Sequence, residues 1–214
     1  MNNGKVVIAF GGGLDSGAMV EYALAHGLAP ILYQIDYGQK ARVGEQLAAE
    51  YYSEKYGLKL VTALLPHVYI ESPLVYGTMA QKHSDNYIMG RNLLFASMAL
   101  SFASSIGAGE VWFGFHKEPA GSVFNDAQAV WLDHLNSLTR SLYGKDFPRA
   151  IAPFGNRERW DYLSVVVVEN DPSIFSHTFS CYESTGEQEC GVCTHCKAKS
   201  VLHEEVMRHV RHLL

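Results

Sequence analysis

Apolar and polar positions along the first half of the chain fall into a repeating order. Lys5-Val6-Val7-Ile8-Ala9-Phe10 is a short apolar run that ends on Gly11-Gly12-Gly13, and an amphipathic stretch follows from Ser16 to about His26. Pro30 to Asp36 reads as a second strand. A polar helix comes next, from about Val43 to Tyr56, closed by Gly57. Leu58 to Leu65, with β-branched Val61 and Thr62, reads as a third strand. Gly90 to Ile106, rich in Leu, Ala, Ser and Phe, reads as a buried helix, and Glu110-Val111-Trp112-Phe113-Gly114 as a fourth strand. This βαβαβ…αβ order predicts a Rossmann-like α/β fold, an open parallel sheet with helices on both faces.

The second half is less regular. A helix is expected from Asn125 to about Leu142, followed by a loop at Phe147-Pro148 and the stretch Ile151-Ala152-Pro153. Trp160 to Glu169 fits either helix or strand, and the run Val165-Val166-Val167-Val168 favours strand on propensity alone. A last helix is expected from about Cys196 to Leu214. The region from Pro66 to Met89 is the best candidate for a mobile loop. No internal repeat or low-complexity tract interrupts the chain.

Composition narrows the function classes. With 214 residues and 48% hydrophobic content the chain can bury a substantial core, and 18% charge with 12% aromatics argues against disorder. No apolar run reaches the ~18 residues of a membrane span, and the opening Met1-Asn2-Asn3-Gly4-Lys5 does not read as a signal peptide. A cytoplasmic protein is expected. The net charge of −5 gives no footprint for tight nucleic-acid binding, so phosphate ligands would need local arrangements.

One such arrangement is Phe10-Gly11-Gly12-Gly13-Leu14-Asp15-Ser16-Gly17, set between a strand and a helix. Glycines let backbone approach a ligand closely, and the amides opening a helix form an anion cradle. No Lys-Ser/Thr pair closes the turn, so it is not a Walker A loop, and Ser16 stands where GxGxxG needs its last glycine. A tight strand–helix turn without a ligand is the plainer alternative.

The cysteines are the second. All four lie in Cys181-x8-Cys190-x2-Cys193-x2-Cys196. A disulfide framework would spread them, whereas thiolates bunched in this way can close a tetrahedron around Zn²⁺. An iron–sulfur cluster is the chemical rival. A closed set of four cysteines leaves no open position, which reads as structural.

Gly11-Gly12-Gly13-Leu14-Asp15-Ser16 resembles the Ser-Gly-Gly-x-Asp-Ser loop of the PP-loop ATP pyrophosphatases. With the cysteine spacing it points further, because the chain resembles the QueC family, the 7-cyano-7-deazaguanine synthases, over nearly its whole length. Asp36-Tyr37-Gly38-Gln39-Lys40 matches that family's Asp-Tyr-Gly-Gln-Arg. Gly90-Arg91-Asn92-Leu93-Leu94-Phe95 matches its Gly-Arg-Asn segment, and Ser180-Cys181-Tyr182 and Cys190-Gly191-Val192-Cys193-Thr194-His195-Cys196 match its zinc segment. The resemblance implies an adenine nucleotide alpha-hydrolase-like domain over 1–175 and a zinc-bearing segment with its helix over 176–214, packed on the same domain. It implies ATP-dependent conversion of 7-carboxy-7-deazaguanine and ammonia to the nitrile, through an adenylated carboxylate and an amide, in a homodimer. Phe10, Gly11, Gly12, Gly13, Leu14 and Ser16 would hold the phosphates, and Asp15 would help hold Mg²⁺. Arg91, at a helix start, is the best cation for neutralising phosphate. Gln39 and Lys40 become pocket candidates at a strand's carboxyl end, and Asp15, Arg91 and Lys40 are the catalytic candidates. Asp36 is placed either to bond a ribose or to cap a turn.

Three departures qualify the match. Gly11 replaces the family's first serine and removes one hydroxyl donor. Phe115 to Asp126 replaces an Asp-x-Ser-Gly-Tyr-Pro-Asp-Cys segment, and an Asp-Lys pair becomes Asn156-Arg157, keeping the cation. Two other readings therefore stay open. One is a relative that joins the activated deazapurine to a different acceptor, such as a protein in antiviral defence; the other is a nucleotide-binding module without turnover. His116, His134 and His177 read as surface or satisfied core histidines. His203, His209 and His212, beside Arg208 and Arg211, read as a solvated helix face or an oligomer contact.

Overall fold

The structure, a computed structural model, describes residues 4–65, 69, 72–76, 87–117, 126 and 128–213. Its five strands are β1 (Lys5–Ala9), β2 (Ala29–Asp36), β3 (Lys59–Leu64), β4 (Glu110–Trp112) and β5 (Arg149–Ile151). They form one sheet in the order β3-β2-β1-β4-β5, with every neighbouring pair parallel. The helices are α1 (Leu14–Ala25), α2 (Arg42–Tyr56), α3 (Arg91–Ser105), α4 (Val130–Tyr143), α5 (Arg159–Glu169), α6 (Ile174–His177) and α7 (Thr194–Leu213).

A strand covered on both faces has to be apolar at successive positions, and β1 is. Val6 and Ile8 enter one core with Leu32 and Trp112, while Val7 enters the other with Tyr33 and Val111. The first core is closed by α1, α2, α5 and α7 through Met19, Ala49, Tyr52, Leu163 and Val206. The second is closed by α3 and α4 through Ala99, Leu100, Leu132 and Leu135. Three layers result. Cys181, Cys193 and Cys196 belong to the first core, so the cysteine segment packs directly on the sheet's helical layer.

β2 lies on one side of β1 and β4 on the other, so the chain direction across the sheet reverses there. In open α/β sheets this reversal opens a crevice beyond the carboxyl ends of the strands. At the far edge, the Asn136 side chain donates to Ala150 O and accepts from Ala150 N, at 2.8 Å each. An amide side chain thereby pairs the exposed edge of β5 as another strand would.

The strand favoured at Val165–Val168 is a helix. Tyr162, Leu163, Val166 and Val167 are buried while Val165 and Val168 are exposed, which is helical rather than alternating spacing. Packing against α7 outweighs the reduced helix propensity of β-branched residues. The helix expected from Asn125 begins at Val130, and the last helix begins two residues early, at Thr194. Most of the loop candidate Pro66–Met89 lies outside the described residues.

Candidate active site

The crevice holds a cavity of about 560 Å³ at the carboxyl ends of β1, β2 and β4, within the range of small-molecule sites. Its floor is the glycine turn. Gly12 has φ +76°, and a Cβ there would stand 2.8 Å from Glu45 Cα, so both conformation and space require glycine. Gly13 caps α1 without a side-chain bond, and the amides of Leu14, Asp15 and Ser16 have no intrahelical acceptor. Gly11 N donates to Ser16 Oγ at 3.0 Å, which closes the turn. Phe10, Gly11, Gly13, Leu14, Asp15 and Ser16 all line the cavity.

Asp15 faces a cation from α5. Arg159 donates from Nε to Oδ1 at 3.0 Å and from Nη2 to Oδ2 at 2.9 Å, and Tyr162 Oη also donates to Oδ1. Burial alone would raise the Asp15 carboxyl, but Arg159, His116 and the Tyr162 hydrogen bond outweigh it and hold it below the ordinary value. Arg159 lines the cavity; Arg157 does not, and its Nε bonds Asp161 Oδ2 at 2.8 Å.

The opposite wall comes from β2 and α3. Arg91 opens α3 after Gly90, whose φ of +79° turns the chain into the helix. Its Nη1 donates to Tyr37 Oη at 3.2 Å. Asp36 Oδ1 accepts from Gly38 N at 2.8 Å, so its carboxylate caps the turn after β2. Gln39 is buried. Its Oε1 accepts from Tyr37 N at 2.9 Å, and its Nε2 donates to Glu45 Oε2 at 2.6 Å. Burial pushes the Glu45 carboxyl up to about 7 despite the Gln39 bond and the Arg91 charge, and the Asp36 carboxylate adds to the rise. Lys40 Nζ pairs with Glu183 Oε2 at 2.9 Å with both side chains nearly buried, which ties β2's exit to the cysteine segment. Asp36, Gln39 and Lys40 stand behind the wall, whereas Arg91 and Glu45 line the cavity.

The cysteine segment forms the roof. The four sulfurs lie within 4.8 Å of one another. Zn–S bonds of about 2.3 Å in a tetrahedron place sulfurs about 3.8 Å apart, and Cys190–Cys196 at 3.9 Å and Cys181–Cys193 at 4.0 Å match that spacing. Ser184 N and Cys190 N donate to Cys181 Sγ, which favours its thiolate form. The set fits a metal such as zinc. From this segment Phe179 N donates to Gly12 O at 2.8 Å. Lys199 Nζ bonds Thr178 O at 2.6 Å and Glu189 Oε1 at 3.1 Å. Tyr182 and His195, ring centroids 3.9 Å apart, face the same cavity.

Sequence reasoning left out Glu45, Arg159, Tyr162, Tyr182 and Lys199, and placed His116 on the surface or in the core, whereas it is half-buried at the cavity wall. For Arg159 the signal was the paired cations Arg157-x-Arg159, of which the motif alignment chose the first. Glu45 had a cue in its place on the first turn of a helix following the Asp36–Lys40 stretch.

A parallel three-layer α/β sheet with a glycine turn at its switch point, cations around that turn and a four-cysteine knuckle is a PP-loop type of nucleotide-binding architecture. The profile of a family described as queuosine biosynthesis protein QueC matches residues 5–206. The chain belongs to the QueC family. Relatives named 7-cyano-7-deazaguanine synthase include one from Gloeothece citriformis, 29% identical over 93% of this chain and 90% of its own length. Another, from Thermoplasma volcanium, is 28% identical over 91% and 84%. Among solved structures, an NMN synthetase from Francisella tularensis has a TM-score of 0.51 and 12% identity, over 96% of this chain and 81% of that one, and shares the fold. Among the described residues no helix is long and apolar enough to cross a membrane.

Proposed function

We propose that the chain is an ATP-dependent enzyme that converts 7-carboxy-7-deazaguanine and ammonia to 7-cyano-7-deazaguanine. The observation that carries this reading is one cavity holding the open amides of the glycine turn together with Arg91 and Arg159. Membership of the QueC family and relatives named 7-cyano-7-deazaguanine synthase support the choice of product.

A carboxylate is a poor electrophile; transfer of AMP to it creates a leaving group that ammonia displaces. In that step the α1 amides and Arg159 hold the pyrophosphate, and Arg91 neutralises charge from the facing wall. Asp15 orients Arg159. Its Oδ2 accepts a single hydrogen bond and keeps a lone pair with which it would help hold Mg²⁺. Cys181, Cys190, Cys193 and Cys196 would hold zinc, which supplies cross-linking of the roof rather than chemistry. The amide then undergoes a second ATP-dependent activation that removes its oxygen to give the nitrile.

The test is mass spectrometry of products from ATP, ammonium and 7-carboxy-7-deazaguanine. The nitrile, with AMP and pyrophosphate, is expected. Bound ATP without turnover would instead identify a nucleotide-binding module. An activated purine that reaches only a protein amine would identify the alternative acceptor. Homodimer formation, implied by the resemblance, is checked by light scattering on the same sample.

A further inference from the structure

Among the described residues two carboxyls line the cavity, Asp15 and Glu45. Both oxygens of Asp15 are engaged by α5. Glu45 differs. Among the described residues its carboxyl accepts one hydrogen bond, from Gln39 Nε2, and Gln39 is itself oriented by the Tyr37 amide. The main chain of Glu45 lies against the glycine turn, so close that Gly12 has no room for a Cβ.

A carboxyl in that place is an anomaly in a site for phosphates. The cavity gathers Arg91, Arg159 and Lys199, and an anion beside the cradle would repel ATP. It makes sense if it meets the reaction's cationic participant. Ammonia in neutral water is almost entirely ammonium, which has no lone pair with which to attack.

Resting on the reading above, we propose that Glu45 is a catalytic residue that binds ammonium beside the acyl adenylate and takes its proton. The N–H bond breaks, the proton goes to the Glu45 carboxylate, and the freed nitrogen lone pair attacks the acyl carbon. The carbon–oxygen bond to the adenylate phosphorus breaks, and AMP leaves with the electron pair. The nitrogen sheds its second surplus proton to water, and Glu45 returns the first to water through the open cavity. Gln39 is the positioning residue that aims the carboxyl.

The charged and titratable groups facing Glu45 are Arg91 from α3, Asp36 and Tyr37 from the β2 exit, and Tyr182 from the roof. Their balance with burial keeps the carboxyl matched to a proton acceptor working near neutrality.

The experiment compares two nucleophiles in the full chain and in Glu45→Gln. Hydroxylamine is neutral near pH 7 and attacks without prior proton removal, trapping the acyl adenylate as a hydroxamate. In Glu45→Gln, hydroxamate formation should stay within about threefold of wild type, while amide formation from ammonium at pH 7 falls on the order of 100-fold. That amide rate should then climb about tenfold per pH unit with the free-ammonia fraction. Glu45→Asp, which keeps the carboxyl, should recover part of the amide rate. If both nucleophiles are slowed equally, or neither is, Glu45 has no such role. If wild type itself forms no hydroxamate, the adenylation reading fails and this proposal falls with it.

Discussion

Gly44 sits inside α2, where alanine would ordinarily be the better residue. Replacing a mid-helix glycine with alanine gains up to about 1 kcal/mol, an upper bound for Gly44, the third residue of α2. Here a Cβ would meet three ring carbons of Phe179 at 2.2, 2.3 and 2.5 Å. Ordinary carbon contacts are about 3.5–4.0 Å, so the ring must retreat by roughly 1.3 Å. Phe179 is buried, and overpacking of this kind costs about 1–3 kcal/mol. Gly44→Ala is therefore expected to destabilise the chain by about 0–2 kcal/mol net, by urea unfolding. Binding gives the sharper readout. Phe179 N holds Gly12 O at 2.8 Å, so displacing the ring disturbs the phosphate turn from outside the cavity. Loss of about one hydrogen bond's worth of preorganisation is ~1.4 kcal/mol, or about tenfold in ATP affinity by calorimetry. Adding Phe179→Leu removes the obstructing ring, and the double variant should bind ATP better than Gly44→Ala alone. Should Gly44→Ala raise stability by the full helix gain and bind ATP like wild type, the roof does not set the turn.

Three further outcomes test other parts of the site. Cys190→Ser should lose bound zinc by elemental analysis, lower the melting temperature by several degrees and weaken ATP binding; a folded, metal-replete variant would overturn the four-cysteine assignment. At Gly11 an added Cβ meets nothing nearer than Ser16 Oγ at 4.0 Å. Gly11→Ser should leave stability within about 0.5 kcal/mol and tighten ATP several-fold, and an unchanged or weaker affinity would argue against a phosphate at that position. Glu45 binds its proton more tightly in the folded state, about 7 against an ordinary 4.5, so its contribution to stability falls as pH rises across that window. Urea midpoints of wild type should drop relative to Glu45→Gln between pH 5 and 7.5, and parallel curves would refute the assignment.

Much of the architecture was legible because its signals are local. The apolar run of β1, the glycines after it and the helix at Arg91 each mark themselves within a few residues. The four cysteines did so by spacing alone, since metal ligands on one short loop cannot scatter. What stayed hidden depends on neighbours far along the chain. Val165–Val168 reads as strand until α7 supplies a surface that helical spacing can cover. Arg157 and Arg159 are indistinguishable as residues; only the orientation of α5 sends one to Asp161 and the other to Asp15. Glu45 gave no sign of its unusual acidity, because that comes from burial against a turn more than thirty residues earlier.

The Phe179–Gly12 hydrogen bond joins the opening turn of the chain to a segment that leaves the ribosome long afterwards. A nascent chain can build β1, α1 and their neighbours, yet the cradle lacks its outer support until Phe179 arrives and the cysteines are drawn together. If the cradle takes a nucleotide as proposed, its full shape depends on a residue more than 160 positions further along the chain.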